Sequence, residues 1–308
     1  MKTIHQSKEE TLLEALPYIQ RYEGKTFVVK YGGAAMTEAS LREDFAKDIT
    51  LLQKIGIRIV LVHGGGPAIT ELEQKLGNVS TFVGGLRYTD EHTIKAVLMS
   101  LAGLTNKELV HELTKSGAEA MGLSGIDASL LSGKRKNSAK GDLGLVGEIS
   151  TVNTTFLDDL IAKKIIPVIA PIACGENGEL LNVNADEAAS AIAIALGAEK
   201  LFFISDTNGV QVDGEVVPTL TQSRAEQYII NGIITGGMIP KVHSGFEALN
   251  GGVKKVHIIV PDMHSMLLEI FTNEGVGTQI INDEYPLADD TNAPLATKHL
   301  LDFSQLGA

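Results

Sequence analysis

Seven short apolar runs spaced along the chain constrain its fold more than any other feature. They are TFVVKY (26–31), IRIVLVH (57–63), AEAMGLS (118–124), IIPVIAP (165–171), KLFFIS (200–205), KVHIIV (255–260) and TQII (278–281). Most are apolar at consecutive positions instead of alternating. Strands with that pattern are covered on both faces, as in a parallel sheet held between helical layers. Helical patterns fill the intervals, near 39–55, 67–76, 90–115, 154–164, 185–196, 221–231, 240–250 and 264–272. Two Gly-containing polar insertions, around 131–152 and 174–184, read as hairpins. The expected fold class is α/β, with a mainly parallel open sheet shared by two lobes. The boundary between the lobes is placed near Asn182–Asn184, and the active cleft at the carboxyl ends of the strands.

Composition narrows the function classes. A chain of 308 residues with 44% apolar content can build a large core as one domain or two lobes. A net charge of −12 argues against nucleic acid or an anionic membrane as the main partner. The single cysteine, Cys174, has no intrachain partner and reads as a small side chain in a reducing compartment. No basic stretch followed by an apolar core opens the sequence, and no apolar run reaches ~18 residues. These features predict a soluble, cytoplasmic protein.

Three glycine clusters stand just after strands or just before helices: Gly32-Gly33, Gly64-Gly65-Gly66 and Gly236-Gly237. Backbone amides can approach an anion closely there, and a helix N-terminus adds a favourable dipole. Pro67 and Pro240 fit the first turns of the helices after the second and third clusters. The alternative for any one cluster is a tight turn and nothing more. Two familiar phosphate signatures fail. Gly24-Lys25-Thr26 resembles the end of a P-loop, but Ile19 occupies the place of its first glycine, and the segment precedes a strand. No G-x-G-x-x-G follows a strand either. A phosphate site here has to be assembled from separate loops.

The charged residues allow such an assembly. Lys30 ends the first apolar run, directly before Gly32-Gly33; it is either a lysine snorkelling from a strand end or a cation for a phosphate. Lys241 follows Pro240 in the first turn of a helix, the poorer end for a cation unless an anion lies nearby. Asp186 lies in NVNADEAA, where Asn184 is the expected N-cap and Glu187 the expected partner in a capping box. Asp186 then either sits in a helix's first turn or holds Lys30 and Lys241 by ion pairing. Arg87 precedes the expected N-cap Asp90 and suits bidentate capture of a carboxylate, unless it is simply solvent-exposed. Asn182 either bonds a ligand or closes a turn. Lys134-Arg135-Lys136 reads as a solvated hairpin tip. The eight histidines have no metal-ligand spacing with cysteine or carboxylates, so no protein metal site is assigned.

The segments KYGGAAM, LVHGGGPAI, VGGLRYTDE, GLSGIDASL, NVNADEAA, ISDTNGV and TGGMIPKV, in this order, closely resemble acetylglutamate kinases of the amino acid kinase superfamily. The resemblance runs from about residue 10 to 283. It implies a three-layer αβα sandwich, with an amino-acid substrate lobe over 23–183 and an ATP-binding lobe over 184–283. It also implies ATP-dependent phosphorylation of the side-chain carboxylate of N-acetyl-L-glutamate, on the acetylated route to arginine or ornithine. By this resemblance Lys30 and Lys241 neutralise the moving phosphoryl group and the leaving ADP, and Asp186 orients both. Gly32, Gly33, Gly64 and Gly65 offer backbone amides to phosphoryl and carboxylate oxygens. Arg87 and Asn182 hold the acceptor, while Ser205, Asp206, Gly209, Gly236 and Gly237 serve the nucleotide. Mg2+ rides on the ATP phosphates. The chemistry fits, since a carboxylate nucleophile is already ionised at neutral pH and needs no general base. Two alternatives remain at this level: a relative acting on carbamate, aspartate, glutamate or a nucleoside monophosphate, and a catalytically silent amino-acid sensor.

The two ends of the chain lie outside that catalytic set. KEETLLEALPYIQRY (8–22) places acidic residues in a first helical turn and Leu12, Leu13, Leu16 and Ile19 at helical spacing, with Pro17 expected to kink it. It either packs on its own lobe or, by resemblance to arginine-inhibited acetylglutamate kinases, makes 1–22 an oligomerisation helix that joins three dimers into a hexamer. In those enzymes arginine binds beside this helix. His257, Glu269 and Gly275 are the matching effector candidates, and a PII-type nitrogen-signalling protein is a further expected partner. Residues 284–308 match no part of the family and form an extension of unassigned role, with a short helix drawn near Leu295–Phe303.

Overall fold

The computed structural model describes residues 4–283 apart from 37, 263, 273 and 274, so the extension at 284–308 lies outside the described residues. The chain enters through helix α1 (Ile4–Tyr22) and strand β1 (Thr26–Tyr31). Helix α2 (Ala39–Lys54), strand β2 (Arg58–His63) and helix α3 (Gly66–Lys75) follow. A small hairpin, β3 (Phe82–Val83) with β4 (Leu86–Arg87), leads to a long helical stretch. There α4 (Thr93–Val97) passes through π-helical Leu98–Thr105 into α5 (Asn106–Lys115). Next come β5 (Ala120–Ser124), β6 (Leu131–Arg135), β7 (Val146–Val152), α6 (Thr154–Ala162) and β8 (Ile166–Ala170). Strands β9 (Ile172–Gly175) and β10 (Leu180–Val183) close the first half. The second half opens with α7 (Ala185–Ala195), β11 (Lys200–Ile204) and a hairpin of β12 (Gln211–Val212) and β13 (Glu215–Val216). It continues with β14 (Thr219–Thr221), α8 (Gln222–Ile230), α9 (Met238–Asn250), β15 (Lys255–Ile259), α10 (Ser265–Phe271) and β16 (Thr278–Ile281).

Eight of these strands form one sheet in the order β14-β16-β15-β11-β1-β2-β8-β5. Strand β1 lies inside it, parallel to β11 and β2, and β16 reverses direction against β15. Alternate residues of the central strands serve two cores. Val28, Val60, Leu201 and Phe203 pack with Leu157 of α6, Ala189 of α7 and Phe246 of α9. Phe27, Ile59, Leu61 and Phe202 pack with Ile49 of α2, Leu109 of α5 and Ile270 of α10. The three layers expected from the consecutive apolar runs are therefore present, and both faces of each central strand are buried. Among the described residues no helix is long and apolar enough to cross a membrane.

The two expected hairpins form and then close on each other. Strands β6 and β7 pair antiparallel, as do β9 and β10, while β6–β9 and β7–β10 pair in parallel to complete a four-stranded barrel. Helix α1 starts at Ile4, earlier than expected, so its first turn contains no acidic residue. Pro17 stands inside it, where the ring removes a donor from the helical ladder. Tyr18 and Tyr22 are buried against the second core, whereas Leu13 and Leu16 are 67% and 47% exposed.

The barrel depends on a close approach at Gly133, where the pairing of β6 with β7 shifts register. A Cβ there would sit 2.5 Å from the carbonyl oxygen of Glu148, a backbone atom that cannot rotate away. We expect Gly133→Ala to destabilise the fold by roughly 1–3 kcal/mol. Thermal unfolding reads this directly, and an unchanged Tm would contradict it.

Candidate active site

The sheet brings Lys30, at the end of β1, against Asp186, in the first turn of α7. Lys30 Nζ is 3.0 Å from Asp186 Oδ1, and Lys241 Nζ of α9 is 2.8 Å from Asp186 Oδ2. All three side chains are at most 14% exposed. Burial alone would push the Asp186 carboxyl up, but the two ammonium groups outweigh it and hold the acid below its usual range. Burial, followed by the Lys30 charge, lowers Lys241. Asn184 Oδ1 accepts from the N–H of Asp186 at 2.8 Å and of Glu187 at 3.3 Å, so the expected N-cap is present. The expected capping box is replaced: Glu187 Oε1 takes Lys136 Nζ at 2.5 Å instead. That pair ties the hairpin tip to α7, and Lys134 and Arg135 likewise pair with Glu148 and Glu179.

Lys30 and Lys241 line one end of a cleft of about 490 Å3 that also takes in Gly33, Ser205, Asp206, Gly209 and Gly237. The Asp206 carboxylate lies directly against Gly33, occupying the space a side chain there would need. Gly32 and Gly236 adjoin this cleft without lining it. Gly32 is buried beside Lys30, and a Cβ at Gly32 would sit 2.8 Å from Lys30 Nζ. Apolar Ile234 and Met238 face the same space and were not singled out in the sequence.

A second cleft of about 220 Å3 gathers Gly64, Gly65, Arg87 and Asn182 beside Phe82, Leu101 and Val146. Two expectations change here. The Gly64 N–H donates to the carbonyl of Tyr31 at 2.9 Å, so that amide is not available to a ligand. Arg87 is buried and already engaged. Its Nη1 donates to Glu73 Oε2 at 2.5 Å and to Ser80 Oγ at 2.6 Å. Its Nη2 donates to the Gly66 carbonyl at 2.9 Å and to Thr70 Oγ1 at 2.8 Å. The solvent-exposed alternative is excluded, and so is bidentate capture by the guanidinium as it stands. Only Nε–H is left for an incoming carboxylate unless an internal bond is released. Asn182 donates to Thr89 Oγ1 at 3.1 Å.

His257, Glu269 and Gly275 also come together, away from both clefts. His257 Nδ1 is 2.6 Å from Glu269 Oε1, and Glu269 Oε2 accepts the N–H groups of Val276 and Gly277 at 2.6 and 3.1 Å. Burial would raise Glu269, but His257 and these amides hold it down at about 2. Lys200, unnoticed in the sequence, lies 3.3 Å from His257 Nε2 and 4.9 Å from the centre of the Tyr22 ring of α1. Burial, with the nearby Lys255 charge, pushes Lys200 down to about 7. Among the described residues no group of three or more His, Cys, Asp or Glu is placed to hold a metal ion.

Nothing local in the sequence marks Glu73. It reads as one more acid on an amphipathic helix, and its burial follows only when the β3–β4 hairpin folds over α3. Its Oε1 also accepts Thr93 Oγ1 at 2.9 Å. His63 and Asn106, buried behind the Gly64 loop, were missed for the same reason.

Comparisons with known proteins identify the family. Residues 25–260 match the model of the amino acid kinase family. The acetylglutamate kinase of Chlorobium luteolum is 52% identical over 276 residues, covering 89% of this chain and 90% of the relative. That of Aquifex aeolicus is 48% identical over 289 residues, covering 89% and 97%. Among solved structures, N-acetylglutamate synthase from Neisseria gonorrhoeae complexed with coenzyme A and N-acetyl-glutamate superposes with a TM-score of 0.80 at 27% identity, across 89% of this chain. A complex of that synthase with coenzyme A and L-arginine gives 0.77 at 25% identity. This chain spans 63–65% of the synthase length. The chain belongs to the amino acid kinase family and, within it, to the acetylglutamate kinases.

Proposed function

We infer that the enzyme transfers the γ-phosphoryl group of ATP to the side-chain carboxylate of N-acetyl-L-glutamate, forming an acyl phosphate in arginine biosynthesis. The carrying observation is the Lys30–Asp186–Lys241 triad beside the larger cleft. Two ammonium groups and one carboxylate leave a net positive charge where phosphoryl oxygens develop negative charge during transfer. In this reading the 490 Å3 cleft takes ATP and the 220 Å3 cleft takes the acceptor. The lobes then divide at residues 183 and 184. Lys30, Lys241 and the Gly33 and Gly65 amides stabilise the moving group, and Asp186 keeps both lysines aimed. Gly209 and Gly237 shape the nucleotide end, with Ser205 and Asp206 beside them. Arg87 Nε–H and Asn182 orient the acceptor. Lys30, Lys241 and the doubly paired Asp186 do not suit direct metal ligation, so Mg2+ would enter with ATP and would screen its phosphate charge. This chemistry belongs in the cytoplasm, where ATP is present. A silent sensor would not need two buried lysines on one carboxylate.

A hydroxamate assay with ATP, Mg2+ and a panel of acceptors tests the substrate. We expect N-acetyl-L-glutamate to be far better than glutamate, whose ammonium would lose water beside Phe82, Leu101 and Val146 at a cost of several kcal/mol. Equal kcat/KM for the two would sink the assignment. Lys241→Met should lower kcat about 10²–10³-fold with the fold intact. Arg87→Ala should act mainly through KM for the acceptor.

We further propose L-arginine as an inhibitor and a hexamer built from three dimers as the working assembly. Leu13 and Leu16 leave an apolar strip of α1 in water, and burying such side chains stabilises association by about 1.5–3 kcal/mol each. Exposed Met99, Leu104 and Met121, beside edge strand β5, suit the dimer contact. Tyr22 links α1 to Lys200, His257 and Glu269, so a guanidinium bound at that cluster would couple to the helix that joins dimers. The PII-type partner rests on resemblance alone. Removing residues 1–22 would also strip Tyr18 and Tyr22 from the core, so Leu13→Glu with Leu16→Glu is the cleaner test. Dimers by mass, with weaker arginine inhibition and retained activity, are expected; an unchanged hexamer with unchanged inhibition would refute the proposal.

A further inference from the structure

His63 is the last residue of β2, is buried completely, and lines neither cleft. Its ring has two polar neighbours. Nδ1 is 2.8 Å from the carbonyl oxygen of Gly64, and Nε2 is 3.1 Å from Asn106 Nδ2. The Asn106 amide has its nitrogen toward the histidine for an independent reason. The same Nδ2 lies 2.8 Å from the carbonyl of Val168 and 3.2 Å from that of Leu123, while Oδ1 accepts from Lys107 Nζ at 3.3 Å. A carbonyl can only accept and an amide NH2 can only donate. The ring must therefore carry its single proton on Nδ1 and donate to Gly64, with the bare Nε2 facing the Asn106 NH2, whose two hydrogens are shared among Val168, Leu123 and His63. Burial pushes its pKa down to about 4, which keeps the imidazole neutral.

The bond to Gly64 fixes more than a carbonyl. The Gly64–Gly65 peptide is planar and trans, so its N–H points opposite to its C=O. With the Gly64 carbonyl held by His63, the Gly65 N–H points the opposite way across the peptide, and Gly65 itself lines the 220 Å3 cleft. Among the described residues that N–H has no acceptor. Gly65 adopts φ +155° with the Leu101 side chain filling the space of a Cβ, so no other residue fits this turn. The π-helical segment Leu98–Thr105 supplies both supports, since it carries Leu101 to Gly65 and ends directly before Asn106.

We propose that His63, locked as its Nδ1–H tautomer by Asn106, is a positioning residue that aims the Gly65 N–H at an oxygen of the phosphoryl group passing from ATP to the acceptor carboxylate, with ADP as the leaving group. The proposal rests on the acceptor occupying the Gly65–Arg87–Asn182 cleft. Neither His63 nor Asn106 lines either cleft.

Two measurements on the full-length enzyme test it. In 15N-histidine-labelled protein, with His63 assigned from its missing signals in His63→Asn, the wild type should hold the Nδ1–H tautomer from pH 8 to about 5.5. An Nε2–H tautomer or an imidazolium at pH 7 would overturn the proposal. In kinetics, His63→Asn keeps a donor at the δ position and should retain kcat within about tenfold. His63→Gln carries its amide at the ε position and should lose kcat about 10²-fold, with KM for ATP little changed. Equal kcat in the two variants, or a loss confined to KM, would overturn it as well. A wild type inactive on N-acetyl-L-glutamate would sink the substrate reading together with this role. An active wild type with an Nε2–H His63 would sink the positioning alone.

Discussion

The buried carboxylate of Asp186 between two lysines is the interaction on which the arrangement depends. Each of the three ions would be costly in this environment alone, and removing Asp186 would leave two uncompensated ammonium groups at a cost of about 3–5 kcal/mol, whereas losing either lysine leaves a neutral pair. The cluster is satisfied only when β1, α7 and α9 are all in place, because each contributes one member. Folding and assembly of the charged site are therefore one event. The Asn184 cap and the favourable end of the α7 dipole hold the carboxylate, and Lys241, at the unfavourable end of α9, is tolerable because Asp186 faces it.

The smaller cleft is built on a related principle, in which groups that look free in the sequence are engaged internally. Arg87 is held by Glu73, Ser80, Thr70 and Gly66, and the Gly64 N–H is held by Tyr31. Such bonds reduce the number of contacts a ligand can make, but they fix the remaining donors before the ligand arrives. A donor that need not reorganise during transfer stabilises the transition state more than a mobile one. The cost is visible in the backbone, where Gly65 adopts a conformation closed to other residues and the neighbouring helix widens into a π-segment.

The cluster around His257 follows the same logic away from the clefts. Glu269 is ionised because two backbone amides and His257 favour its charged form, and Lys200 is weakened as a cation because burial disfavours its charge. Lys200 Nζ lies 4.9 Å from the centre of the Tyr22 ring, so this charged cluster is in direct contact with the N-terminal helix.

The sequence by itself determined the layers, most element positions and the identity of the chemical groups. Consecutive apolar runs require two covered faces, glycine clusters require close backbone approach, and Asn184 ahead of an acidic turn requires a helix start. Each of these is a local constraint, legible in a few neighbouring residues. The starting point of α1, the closure of two hairpins into a barrel and the burial of Glu73 were not legible, since they depend on segments far apart in the chain. Lys30 and Asp186 are both visible as charges, yet nothing local says that they meet. Only the tertiary structure decided which hydrogen-bond donors are taken and which remain, because a donor's availability is set by whatever the fold packs against it.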